Sequence, residues 1–183
     1  MQNTDHDLIS RLKQENTRDF AFGQLVSKYQ ERLYWHIRKI LLNHEDTDDV
    51  LQNTFLKVWR NIDNFREESS LFTWLYRIAT NEAITYLNSK KRRNLVPLND
   101  VSEYLMENLT SDPYFDGDEL QLKLQKAILK LPEKQRIVFN MKYFDDIKYD
   151  EMSEILDTSV GALKASYHHA VKKVEEYIKN NDK

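Results

Sequence analysis

Glycine and proline are so scarce in this chain that few folds other than helical ones remain open to it. Gly23, Gly117 and Gly161, with Pro97, Pro113 and Pro132, are the only such breakers in 183 residues. A β protein needs turn residues at each reversal, whereas the abundant Leu, Lys, Glu and Gln extend helices at little cost. An all-α fold is therefore expected, as one ordinary domain or two small ones. The chain has no cysteine, which removes disulfides and Cys-based zinc sites and permits a reducing compartment. No apolar run approaches the roughly 20 residues needed to cross a bilayer, so no membrane insertion is expected. The first residues, MQNTDHDLISRLKQEN, are too polar and acidic for a signal peptide. The expectation is a soluble, cytoplasmic protein.

Apolar periodicity divides the chain. Phe22, Val26, Tyr29, Leu33, Ile37 and Ile40/Leu41 recur at three- and four-residue steps and mark a long amphipathic helix. Residues 44–46 interrupt it, and Asp46 is a candidate N-cap for a helix carrying Val50, Leu51, Phe55 and Val58. Ser69/Ser70 start a third, with Leu71, Trp74, Leu75, Ile78 and Ala79. A stretch over 94–119 holds two of the three prolines and lacks sustained periodicity. Val101, Tyr104, Leu105 and Met106 could form a short helix, but the acidity makes the stretch read as a flexible linker without rigid structure. Helical spacing resumes at Leu120. Pro132 suits the first position of a further helix, with Ile137, Val138, Met141 and Phe144 inward. The predicted organisation is two small helical domains, 1–93 and 120–183, joined by the linker 94–119.

The C-terminal part ends in a helix-turn-helix pattern. A short helix with Met152, Ile155 and Leu156 meets the turn Asp157-Thr158-Ser159. A longer helix then turns Leu163, Tyr167, Ala170, Val171 and Val174 inward. Gly161 and Ala162 keep its start slim, as close approach to a DNA backbone requires. Net charge is −3, yet its distribution is uneven. Residues 19–93 carry 12 Lys/Arg against 10 Asp/Glu, and 120–183 repeat that count. Residues 94–119 hold 7 acidic residues and no basic one. Such a balance gives weak autonomous DNA affinity, so a partner must supply most of the grip.

Residues 49–93 combine an acidic-started helix, a loop of charged and hydroxyl residues, and an aromatic-studded helix ending in Lys90, Lys91, Arg92 and Arg93. Melting DNA calls for this combination, because unpaired bases stack on rings while phosphates seek cations. Asp49, Gln52 and Phe55 form a DxxQxxF pattern with Trp59 one turn on, followed by FREESSLFTWLYRIATN. On these residues the chain resembles the extracytoplasmic-function (ECF) sigma factors, over about 20–93 and 120–178. The resemblance implies a factor that binds core RNA polymerase, reads promoter DNA through both domains and helps melt the duplex.

Carried over residue by residue, the resemblance assigns polymerase docking to Asp49, Gln52, Phe55, Leu56 and Trp59. It assigns the −10 element and melting to the loop Phe65, Arg66, Ser69 and Ser70 and to Thr73, Trp74, Arg77, Asn81 and the Lys90–Arg93 run. Trp74 also fits the buried stripe of Leu71 and Ile78, so core and contact both stay open for it. The −35 element falls to Arg136, Thr158, Ser159, Gly161, Lys164, Ala165, His168 and Lys172. The family's usual turn glycine is Asp157 here, a residue that tolerates left-handed geometry. An anti-sigma factor is implied as a regulatory partner, and the acidic linker is implied to enter a basic polymerase channel.

Other chemistries find little support. Adjacent His168 and His169 point in different directions on a helix and no further ligand completes a metal set. The Asp46/Asp48/Asp49 group lacks the glycine and terminal glutamate of a calcium loop. No phosphate-binding loop, HExxH motif or Ser-His-Asp arrangement is present, so no cofactor and no catalysis are expected. Two rivals are a stand-alone helix-turn-helix regulator and a sigma mimic that sequesters an anti-sigma factor. The first predicts tight duplex binding without polymerase, against the negative net charge. The second has no use for the basic run or the FREESS loop.

Overall fold

A computed structural model describes residues 2–93, 101–111 and 119–181, and every regular element among them is helical. In order these are α1 (Gln2–Leu12), α2 (Arg18–Leu41), α3 (His44–Asn61), a 3-10 turn (Ile62–Asn64), α4 (Leu71–Arg92), α5 (Val101–Ser111), α6 (Glu119–Leu129), α7 (Glu133–Tyr143), α8 (Tyr149–Leu156) and α9 (Val160–Asn180).

The predicted helices form, with their starts adjusted by capping chemistry. Asn43, not Asp46, caps α3, its side chain accepting from the Asp46 amide at 2.9 Å. Asp46 is freed to point inward, where it takes the Tyr86 hydroxyl at 2.8 Å and the Lys90 ammonium at 2.5 Å. Ser70 caps α4 as expected, accepting from the Thr73 amide at 3.1 Å. Pro132 stands just before α7 rather than inside it. Asp157 does adopt the left-handed conformation (φ 48°) that ends α8, and Ser159 caps α9. α1, which periodicity did not pick out, buries Leu8, Ile9 and Leu12 against α2. Each such side chain contributes about 2 kcal/mol, enough to hold so short a helix in place.

Two features depart from the sequence reading. The linker was expected to lack rigid structure, but residues 101–111 form α5, with Leu105 and Leu109 buried beside Leu42 and Leu129. Acidity on one face does not prevent burial of leucines on the other. The rest of the expected linker, 94–100 and 112–118, lies outside the described residues.

The two halves are also packed together. One core runs from Leu8 through α2, α3 and α4 to Ile137, Met141, Met152, Ile155 and Leu163. Polar contacts reinforce the seam. His36, buried in α2, donates from Nδ1 to Asp145 Oδ2 at 3.0 Å, and Lys39 pairs with the other oxygen of that carboxylate. His36 Nε2 lies 2.8 Å from Thr80 Oγ1 on α4. The Arg77 Nε donates to the Glu154 carbonyl at 2.8 Å, and the Asn140 amide to the Lys39 carbonyl at 3.3 Å. Burial alone favours the neutral Asp145 carboxyl, but hydrogen bonds and charge from His36 and Lys39 outweigh it and hold its pKa below the ordinary value.

Candidate functional site

Three surfaces gather the residues singled out by sequence. On α3, Gln52, Phe55, Leu56 and Trp59 line an open groove of about 500 Å³ together with Asp19, Phe22 and Val26 of α2. Its apolar floor is rigid, because the Phe22 ring meets Trp59 edge-on at 4.9 Å and Phe55 at 6.3 Å. Leu56 stands 46% exposed on the rim, and Asp49 and Gln52 are exposed two turns and one turn before it, respectively. Phe55 is largely buried and forms part of the groove floor. An exposed leucine beside such a groove is the form a docking site for a partner's helix takes.

At the other end of α3, the 3-10 turn and the following loop make a polar pocket of about 390 Å³. Asn64, Phe65, Arg66, Glu68, Ser69, Trp74 and Arg77 line it, and so does Glu154 of α8. Phe65 is buried beneath Trp74, with ring centroids 4.8 Å apart. Trp74 is only partly buried, so it is both core and lining. Arg66 and Ser70 are exposed and Asn81 lies outward on α4. Thr73 is not available to DNA. It is buried, and its hydroxyl pairs with that of Ser70 at 2.9 Å.

The basic run at the end of α4 divides. Lys90 is committed inward, bonded to Asp46 and, at 3.1 Å, to the Tyr104 hydroxyl of α5. Burial disfavours its ammonium, yet these partners more than compensate and raise its pKa above the ordinary lysine value. Tyr86, sharing Asp46, is pushed up to about 12 by burial and by that carboxylate. Lys90 is therefore not free for phosphate in this arrangement. Arg92 and Arg93 are exposed, while the Lys91 side chain lies outside the described residues.

On the C-terminal half, Lys164, Ala165, His168 and Lys172 are exposed along α9. A Cβ added at Gly161 would meet nothing within 4 Å, so the fold itself makes no demand for glycine there. The Thr158 hydroxyl donates to the Leu156 carbonyl at 3.0 Å, and the Ser159 oxygen accepts from the Ala162 amide at 3.3 Å. Both are thus engaged in shaping the turn. Arg136 departs from expectation. It is 3% exposed within α7, where burial lowers its pKa against the pull of Glu133. A guanidinium so enclosed cannot reach a DNA backbone without repacking of the half.

The seam residues His36, Lys39 and Asp145 were not legible in sequence, nor were Lys13 and Arg18, which reach the pocket loop from the α1–α2 connection. Their partners lie 41 to 109 residues away, beyond any local pattern. Among the described residues no helix is long and apolar enough to cross a membrane.

Comparison with known proteins agrees with this layout. Residues 25–93 match Sigma-70 region 2, and residues 121–174 match Sigma-70, region 4. The chain is 31% identical to an ECF RNA polymerase sigma-E factor of Haemophilus influenzae over 97% of its own length and 96% of that protein's. It is 30% identical to the ECF RNA polymerase sigma factor SigW of Bacillus subtilis over 93% and 96%. Its fold is similar to that of CnrH in complex with the cytosolic domain of CnrY. The TM-score is 0.70 at 23% identity, covering 97% of this chain and 99% of that one. It is also similar to the sigma factor RpoE in complex with the anti-sigma factor NepR from Bartonella quintana. There the TM-score is 0.67 at 20% identity, covering 88% and 98%. With both sigma regions matched in order and relatives aligned over nearly their full length, the chain belongs to the ECF family of RNA polymerase sigma factors.

Proposed function

We propose that this protein binds core RNA polymerase through the α2/α3 groove and directs it to promoters, reading the −10 element with its N-terminal half and the −35 element with α9. One observation carries the division of labour. The helix that bears the groove runs through a three-residue 3-10 turn into the loop of the polar pocket. Enzyme docking and strand capture then sit on one rigid piece, and polymerase binding presents the pocket to DNA. Asp49, Gln52, Leu56 and Trp59 take the docking role. Arg66, Ser69, Trp74, Arg77 and Asn81 take the melted strand, with Arg92 and Arg93 on phosphates. Unpairing a base costs a few kcal/mol, and stacking with hydrogen bonds in the pocket offset it.

The closed arrangement is a resting form in this reading. The −10 and −35 elements lie about 25 base pairs, or roughly 85 Å, apart along a straight duplex. A chain of this length packed about one core has a radius of gyration of about 16 Å. Both elements cannot be met at once until the halves part, and Glu154 must leave the pocket. An anti-sigma factor that holds the halves together or covers the groove suits the same reading, as does a cytoplasmic site of action without catalysis. Two weak readers then act through their joint placement on one enzyme.

Run-off transcription with core polymerase tests the function. Initiation at a subset of promoters should require this protein, and initiation independent of it at every promoter removes the reading. For the −35 surface, Gly161→Ala is the informative change. Alanine favours the helix by up to about 1 kcal/mol and meets no obstacle within the protein. Thermal stability should hold or rise while holoenzyme affinity for −35-dependent promoters falls about tenfold, a clash worth roughly 1.4 kcal/mol. Undiminished promoter affinity would place α9 differently on DNA.

A further inference from the structure

We infer that Lys13 and Arg18, at the junction of α1 and α2, are positioning residues for strand capture, holding the pocket loop in the shape that receives an unpaired base. The inference rests on the proposed role of that loop. Between Asn61 and Leu71 the loop is pinned by the core side chains Ile62 and Phe65, but its backbone has few partners of its own. The Phe65 amide bonds the Ile62 carbonyl at 3.1 Å, and Glu67 stands in the left-handed region at φ 60°, costly for a side chain other than glycine. Two cations from outside the loop supply the restraint. Lys13 Nζ donates to the Phe65 carbonyl at 2.9 Å and to Glu67 Oε1 at 3.1 Å. It thereby grips both the residue under Trp74 and the strained one. Arg18 donates to the Trp59 carbonyl at 2.7 Å and to Asp63 Oδ2 at 3.0 Å, its guanidinium 4.5 Å over the Trp59 ring. It closes the C-terminal end of α3, where carbonyls lack helical partners, and ties the start of the loop to the groove.

The two cations are themselves well seated. α1 is anchored by Leu8, Ile9 and Leu12, and the Thr17 hydroxyl closes the connection onto the Arg11 carbonyl at 2.8 Å. Both cations lie before residue 25, where the match to Sigma-70 region 2 begins. The segment thus couples the docking groove and the pocket from outside the matched region.

The direct rival is that Lys13, being partly exposed, simply touches a phosphate. Holoenzyme reconstituted with full-length protein separates the two. The probe is a promoter fragment from upstream of a transcript start that depends on this protein, used as duplex and with its −10 segment pre-opened. Lys13→Ala should leave helical content and core polymerase affinity unchanged. Open-complex formation on the duplex, read by permanganate reactivity of the melted thymines, should fall about tenfold, the worth of one charge-assisted hydrogen bond. Lys13→Arg should restore it to within about twofold, since a second cationic donor reaches the same acceptors. Affinity for the pre-opened fragment should also fall, with the slope of log affinity against log salt unchanged. A slope reduced by about one marks a lost phosphate contact and overturns the inference. Arg66→Ala with Trp74→Ala tests the loop reading separately. If that pair abolishes melting while Lys13→Ala does nothing, the brace is refuted and the pocket stands. If neither changes melting, the pocket reading falls and the brace with it.

Discussion

Leu56→Glu is expected to lower affinity for core RNA polymerase by about a hundredfold or more without disturbing the fold. Leu56 is 46% exposed on α3, and glutamate is a good helix former, so the free protein has no reason to unfold. Leu56 lines the apolar groove with Phe22, Val26, Phe55 and Trp59, so a partner docked as proposed would cover it. A carboxylate buried there without a partner costs about 3–5 kcal/mol, which converts to at least two decades in affinity. The milder pair Asp49→Ala and Gln52→Ala removes exposed polar contacts only and should cost about tenfold. Co-sedimentation or fluorescence anisotropy with purified core enzyme measures both. Wild-type binding by Leu56→Glu would move the docking surface off the α2/α3 groove.

The second large effect concerns the seam. Asp145→Ala removes the carboxylate that His36 and Lys39 share and leaves the His36 ring, 2% exposed, without its Nδ1 partner. Hydrogen bonds to charged groups contribute about 1.5–3 kcal/mol, so their loss shifts the balance toward the open form by about one to two decades. The open population should therefore rise. The absence of native cysteine allows clean dye pairs at Gln24→Cys and Lys179→Cys, both exposed and on opposite halves. Energy transfer should fall in Asp145→Ala relative to the parent.

Acid adds a second reading of the same contact. The Asp145 pKa is depressed, so its contribution is fully present above the ordinary value of 3.8 and is lost as pH falls through the lower value it has in the closed form. The parent should accordingly open over a pH range below 3.8, whereas Asp145→Ala should lack that component. Unchanged energy transfer in the variant at neutral pH would show that apolar packing between α4 and α8 holds the seam unaided.

Much of the architecture was legible because it is local. Apolar steps of three and four residues placed α2, α3, α4, α7 and α9, and turn chemistry located Ser70, Asp157 and Ser159. The same locality set the misreadings. Asp46 and Asn43 are both competent caps, and only the inward hydrogen bonds from Tyr86 and Lys90 to Asp46 decide between them. The family resemblance assigns Arg136, Thr73 and Lys90 to DNA, but burial encloses Arg136 and Thr73, and Asp46 and Tyr104 engage Lys90. α5 looked like linker because acidity hides Leu105 and Leu109 until α6 and the end of α2 close over them.

Sequence by itself determined the family and the helical class, and it singled out Gln52, Phe55, Leu56 and Trp59, which share one groove, since each depends on side-chain type at fixed spacing along one helix. Tertiary structure alone decided which candidates remain exposed, that the two halves share a core, and that Lys13 and Arg18 reach the pocket loop. Those outcomes depend on meetings between residues far apart in the chain, which no helical period encodes.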